Sequence, residues 1–439
     1  MVGFPQSRRH LHRSMAFALL PRHIGGMTKT ATETAVAAVP AKGSRFERKR
    51  ERILDAATAV INERGLAGMT LAEVAQTVEL NTTSVTYYFR FKDDLAAAVF
   101  EHTLVRLENM AVEAGQEPDP LTRVAKFIEL HFDMRARTLR NEERGLAQLS
   151  DIRALDDEAR VSLEQYYQKI FRLVRGFFGP IDSEERKVIL TARAHMLTEV
   201  VFWLPVWIDQ YSISDFPRVQ AKLLDILTKG IAKSDEQWEA PRIVPFDEPA
   251  RDRSIGQEAF LRAATRLINE RGYRGASVDR IVADLRVTKG AFYHHLDAKD
   301  DLVLECFRRS YSRVTRAQQI AENQGGSHWD QLWTVISMLL DVQFRGNWPL
   351  LRTTAMQAVG SDVRRDIVNR SNRMALRIAG TLVDGIAEGS IRPLDPMIAS
   401  QVVMATINAA YDLRHWAERL PLEQAVEIYG STLAKGLFD

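Results

Sequence analysis

Ala57-Thr58-Ala59-Val60-Ile61-Asn62-Glu63-Arg64-Gly65 returns 207 positions later as Ala264-Thr265-Arg266-Leu267-Ile268-Asn269-Glu270-Arg271-Gly272. The same shift carries Gly68 onto Gly275 and Lys92-Asp93-Asp94-Leu95 onto Lys299-Asp300-Asp301-Leu302 without a gap. A match of this length at constant offset makes the chain a tandem duplication. In both copies apolar residues recur at helical spacing: Ile53, Leu54, Ala57, Val60 and Ile61 in the first, Phe260, Leu261, Ala264, Leu267 and Ile268 in the second. Gly65 and Gly272 stand where a helix C-cap calls for a residue tolerant of positive φ.

The rest of the chain agrees with two helical units. At 439 residues it exceeds one ordinary core, and 46% hydrophobic with 26% charged residues is the balance of a soluble globular protein. Ser234 to Asp252 carries Pro241, Pro245 and Pro249, which oppose helix and central strand, so 234–252 reads as a linker. Residues 1–44 read as a disordered leader, with Met27 a possible start. Its apolar run Met15–Leu20 is cut off by Pro21 and is shorter than a secretory core needs. No stretch is read as approaching the roughly 20 apolar residues of a membrane span, so no membrane partner is expected. Cys306, the single cysteine, excludes an internal disulfide and a cysteine zinc site, and points to a reducing cytoplasm.

The formal net charge of +2 does not by itself announce nucleic acid, so that case rests on local sequence. Thr70-Leu71-Ala72-Glu73 predicts a capping box, with the Thr70 hydroxyl serving the Glu73 amide and the Glu73 carboxylate reaching back. A short helix, a tight turn over Glu79–Asn81 and a second short helix opened by Asn81 follow, and Ser277 to His295 repeats the plan. Two short helices joined in this way form a helix-turn-helix whose second member can enter the major groove of double-stranded DNA. Thr82, Thr83, Ser84, Thr86, Tyr87 and Tyr88 in one copy, and Thr288, Lys289, Gly290, Tyr293, His294 and His295 in the other, suit such an exposed reading helix. Hydroxyls and tyrosines of this kind hold phosphates and sugars, with a subset reaching base edges.

The stretch Val287–Leu296 with Lys299 and Leu302, and its counterpart Tyr87-Tyr88-Phe89 with Lys92 and Leu95, resembles the DNA-binding domain of the tetracycline-repressor (TetR) family over about 50 residues of each half. The resemblance implies an all-α fold of two tandem units. Each would be a three-helix head (45–95 and 253–302) on a helical ligand-binding and dimerisation body (96–233 and 303–439). It also implies a DNA-binding transcriptional regulator, a repressor released by a small hydrophobic effector. With no P-loop, GxGxxG, GxSxG or HExxH in the sequence, and with His294 and His295 about 100° apart on a helix, no catalysis, cofactor or metal is expected. Where that family has Lys-Gly-x-x-Tyr, kept as Lys289, Gly290 and Tyr293, the first copy has Thr82, Thr83 and Thr86. Heads so different read different bases, so the expected operator has dissimilar half-sites.

Arg45, Arg48, Lys49 and Arg50 precede the first head as a basic arm, with a solvated helix start as the plainer alternative. For an effector pocket the bodies offer Tyr166, Phe171, His195, Trp203, Trp207, Trp333 and Trp348, although aromatics at helical spacing are commonly plain core. The last two helices of each half, Glu184–Asp209 with Pro217–Ala232 and about Pro396–Glu418 with Leu422–Lys435, are the segments the resemblance assigns to a four-helix dimer bundle. Two assemblies are open: an intramolecular pseudo-dimer, or a homodimer with four heads. The competing reading is a helical scaffold in which one or both heads no longer bind DNA.

Overall fold

A computed structural model describes residues 45–233, 256–295, 299–346, 349–359 and 361–438. The leader (1–44), the linker (234–252) and Trp348 lie outside the described residues. The first head is α1 (Arg45–Gly68), α2 (Leu71–Thr77) and α3 (Thr82–Tyr88), and its body is α4 (Lys92–Gly115), α5 (Pro120–Leu139), α6 (Asp157–Gly176), α7 (Glu184–Trp207) and α8 (Phe216–Lys229). The second head is α9 (Gln257–Gly275), α10 (Val278–Leu285) and α11 (Lys289–His295). Its body is α12 (Lys299–Gln324), α13 (His328–Arg345), α14 (Ser361–Glu388), α15 (Pro396–Ala409), α16 (Arg414–Ala417) and α17 (Leu422–Ala434). No strand occurs among the described residues, only an isolated bridge between Ala232 and Ile391.

The duplicated segment behaves alike in both halves. Ile53, Leu54, Ala57 and Ile61 are at most 1% exposed, and Phe260, Ala264 and Ile268 fill the same role in the second head. Gly65 (φ 68°) and Gly272 (φ 69°) break α1 and α9 at the same place, but each helix resumes for a last turn instead of ending there. A side chain at such φ and ψ would be strained, so glycine is needed for the kink itself. The turn into the third helix of each head uses a left-handed residue, Glu79 (φ 56°) and Arg286 (φ 57°), again 207 apart.

The halves join through α7 and α8 of the first body against α15 and α17 of the second. On α8 the stripe Val219, Leu223, Ile226 and Leu227 is buried, each side chain contributing up to about 1.5–3 kcal/mol. The contacts are reciprocal. Ile231 N donates to the Leu433 carbonyl at 3.1 Å and Leu437 N donates to the Leu227 carbonyl at 2.8 Å, both donors and both acceptors being 206 positions apart. The Trp203 indole donates to Gln401 at 3.0 Å and the Trp416 indole to the Val188 carbonyl at 3.2 Å, now with a shift of 213. Such pairs are the signature of an isologous, two-fold interface, built here within one chain.

The segment Glu184–Gln210 is long and apolar enough to cross a bilayer by length and composition, which the sequence reading had not anticipated. Most of its apolar residues, including Leu190, Leu197, Val201 and Leu204, are instead buried against other helices.

Candidate DNA interface and regulatory cavity

In the first head Thr70 caps α2 by accepting from Glu73 N at 3.2 Å. The capping box is only half made, because the Glu73 carboxylate takes the Arg64 guanidinium instead of the Thr70 backbone amide. Asn81 opens α3, accepting from Ser84 N at 2.7 Å. Val85 faces inward and fixes the rotation of α3, leaving Thr82, Thr83 and Tyr87 exposed and Ser84, Thr86 and Tyr88 half-buried. Tyr87, 76% exposed, stands edge-on to Tyr88, which packs on Phe46 at 4.6 Å. The hydroxyl of Thr86 donates to the Thr83 carbonyl. Lys92 opens α4 beside this surface.

The stretch read as a basic arm is helical: Arg45, Arg48, Lys49 and Arg50 occupy the first turns of α1. Arg45 and Arg48 are exposed, while Arg50 lies over the Phe89 ring at 5.4 Å. In the second head Ser277 caps α10, accepting from Arg280 N at 3.3 Å, and Thr288, Lys289 and Gly290 are exposed. Phe292 takes the inward position of Val85 and meets Phe260 edge-on. Lys289 pairs with Asp279 at 2.7 Å, so a phosphate must compete with a carboxylate for it. Tyr293, His294 and His295 lie on α11 and Lys299 opens α12, their side chains falling outside the description.

Behind the heads, the repeated asparagine that opens Asn-Glu-Arg-Gly ties each head to its body. Asn62 donates to the Leu146 carbonyl at 2.9 Å and accepts from Gln148 N at 3.1 Å. Asn269 does the same with Leu350 (2.8 Å) and Arg352 N (2.9 Å). The backbone carbonyl of each asparagine accepts from an arginine of the opposite half, Arg364 for Asn62 and Arg153 for Asn269. Sequence reading passed over these residues, although a polar side chain repeated within an apolar helical stripe was a usable signal.

A cavity of about 730 Å³ opens beside Asn62. Asp55 and Thr58 of α1, Phe202 of α7 and the buried Arg352 and Asp412 of the second half are among its walls. The described residues predicted to hold an effector sit elsewhere. Tyr166 donates to Glu108 at 2.6 Å, Phe171 is core, and His195 faces the Tyr429 hydroxyl at 3.3 Å. Trp203 reaches Gln401, Trp207 packs against Tyr211, and Trp333 lies against Gly430. The chain neighbours Tyr167 and Phe202 face the cavity instead, 6.2 Å apart, because adjacent helical positions point about 100° away from one another.

The cavity floor is ionic. Arg352 binds Asp412 and donates to Glu199 at 3.1 Å, while burial pushes the Glu199 carboxyl up to about 7. Burial also pushes His131, in the wall, and His195, behind it, down to about 3, so both are neutral at ordinary pH. Ligand atoms of His195, Glu199 and Asp412 lie within 4.8 Å of one another, but Arg352 already pairs with both carboxylates.

Comparison with known proteins agrees with this geometry. The model of "Bacterial regulatory proteins, tetR family" matches residues 53–99 and 260–306, one match in each head. The HTH-type transcriptional regulator BetI of Burkholderia lata is 35% identical over 97 residues, 22% of this chain and 50% of that protein. BetI of Paraburkholderia phytofirmans is 34% identical over 97 residues, again 22% of this chain and 49% of the relative. The chain thus spans about half the length of the curated relatives it matches. Among solved structures, AibR in complex with isovaleryl coenzyme A and operator DNA aligns at 22% identity and TM-score 0.34, over 40% of this chain and 96% of that one. The regulator PfmR from Thermus thermophilus aligns at 17% identity and TM-score 0.32, with the same coverages. With a family match in each half, the chain carries two tandem TetR-type units in one polypeptide.

Proposed function

We propose that this protein is a sequence-specific DNA-binding transcriptional regulator acting as its own dimer, one chain placing two unlike heads on an operator with dissimilar half-sites. The observation that supports it most directly is the reciprocal joining of the two bodies, which puts α3 and α11 on one molecule in place of two. α3 presents threonines and tyrosines, whereas α11 and the residue before it present Lys289 and Thr288, so the heads do not offer the same donors. We read the regulator as a repressor, and the cavity as the effector site, because Asp55, Thr58 and Asn62 of the first head form part of its wall. A gel-shift titration in rising salt tests the DNA-binding reading. Retardation that survives competitor DNA supports it, and none at low salt leaves a helical scaffold.

A further inference from the structure

The halves share a fold but not a cavity. The reciprocal tryptophans set α7 against α15 with a shift of 213, which pairs Glu199 with Asp412, Thr198 with Tyr411 and Val201 with Arg414. The capping residues Asp119 and Ser327 set α5 against α13 with a shift of 208, which pairs Thr138 with Gly346. In the second half the Arg414 guanidinium lies over the Tyr411 ring at 4.3 Å, and both side chains cover Gly346. In the first half Val201, smaller than Arg414, stands at the cavity wall together with Thr138. Beside Asn269 and Tyr273 of the second head lies a void of about 20 Å³, room for a water.

The floor also has a chemical bias. Arg352 and Arg153 sit there against Asp412 and Glu199, while Arg135 and Arg144 line the same space with Asp55, Glu142 and Glu143. A guanidinium keeps its charge when buried, whereas a carboxylate can be silenced by one proton. Glu199 is faced by Arg352, Asp412 on the segment after α15, Arg153, Tyr167 of α6, His195 of its own helix and Tyr429 of α17. Protonating Glu199 leaves two guanidinium groups against the single carboxylate of Asp412, a net positive floor that accommodates an anion.

We propose that this cavity takes one small organic acid per chain, its carboxylate at Arg352 and Arg153 and its carbon skeleton against Phe202, Leu107 and Met134, and that the second half holds no counterpart site; this rests on reading the cavity as the effector site. The ligand then touches both halves at once, since Arg352 and Asp412 belong to the second and Phe202 to the first. Filling Glu199 with a proton is part of binding, and the raised affinity of that carboxyl for protons makes the step accessible near neutrality.

The test uses the full chain with hexanoate, benzoate and 4-hydroxybenzoate, and hexylamine and benzylamine as charge-inverted controls, read by native mass spectrometry and calorimetry. At least one acid is expected to bind, saturating at one per chain, tighter at pH 6 than at pH 8 by up to about tenfold. Glu199→Gln should retain binding and lose the pH dependence. Val201→Trp should abolish binding while keeping a cooperative melt. Saturation at two per chain, preference for the amines, or no binding by any acid would overturn the proposal. An acid that binds once per chain yet leaves operator affinity unchanged supports the ligand class and removes the effector role.

Discussion

The amide of Leu437, at the end of the second unit, donates to the carbonyl of Leu227, at the end of the first, at 2.8 Å. Gly230 and Gly436 make this crossing possible. A Cβ on Gly230 would lie 2.1 Å from the Ala434 carbonyl oxygen, and one on Gly436 would lie 2.3 Å from that of Thr228. Both glycines also hold positive φ, 65° and 98°. Gly230→Ala should therefore lower stability by about 2 kcal/mol or more in chemical melts. Gly176→Ala, which meets nothing within 4 Å, is the control and should leave stability unchanged or slightly raised.

Arg352 carries two buried carboxylates, Glu199 from one half and Asp412 from the other. Removing it leaves both without their shared cation, so Arg352→Ala should cost about 3–5 kcal/mol. Replacing all three at once, with Arg352→Met, Glu199→Leu and Asp412→Leu, should recover most of that loss in urea unfolding. A triple variant no more stable than the single one would show that the network does more than neutralise itself.

His131 is buried and held neutral, its pKa lowered to about 3 by desolvation. The unfolded chain takes up a proton there below its ordinary value near 6.5 and the native chain does not. Stability from this group is therefore complete above pH 6.5 and is lost as pH falls toward 3. The position corresponds to Leu339 in the second half, by the shift that pairs Asp119 with Ser327. His131→Leu should thus fold and show a shallower loss of stability between pH 6.5 and 4, by about one proton. An unchanged slope would mean that His131 titrates normally.

Lys289 and Asp279 form an exposed pair on the second reading surface. Lys289→Ala should weaken binding about uniformly across sequences and lower the salt slope by about one. Asp279→Ala should tighten binding at low salt by releasing the lysine. If neither substitution changes retardation, the second head is not on the DNA.

Much of the fold was legible because the duplication is gapless over the heads, where Gly65 and Gly272, Glu79 and Arg286, and α3 and α11 all keep the shift of 207. The cavity was not legible, and the reason is register. Loop lengths differ between the bodies, so α5 pairs with α13 at 208 and α7 with α15 at 213. Without the helices in place, Val201 cannot be set beside Arg414, and the difference in side-chain size that opens one half stays hidden. Adjacent aromatics part company in the same way: Trp203 turns to the interface while Phe202 turns to the cavity.

The claim that one chain serves as its own dimer is tested most directly by light scattering on the purified protein bound to an operator duplex. The account predicts a complex of one 49.8 kDa chain per duplex, with base substitutions in the two arms of the site having unequal effects. Two chains per duplex over a perfect inverted repeat, contacted equally on both arms, would contradict it.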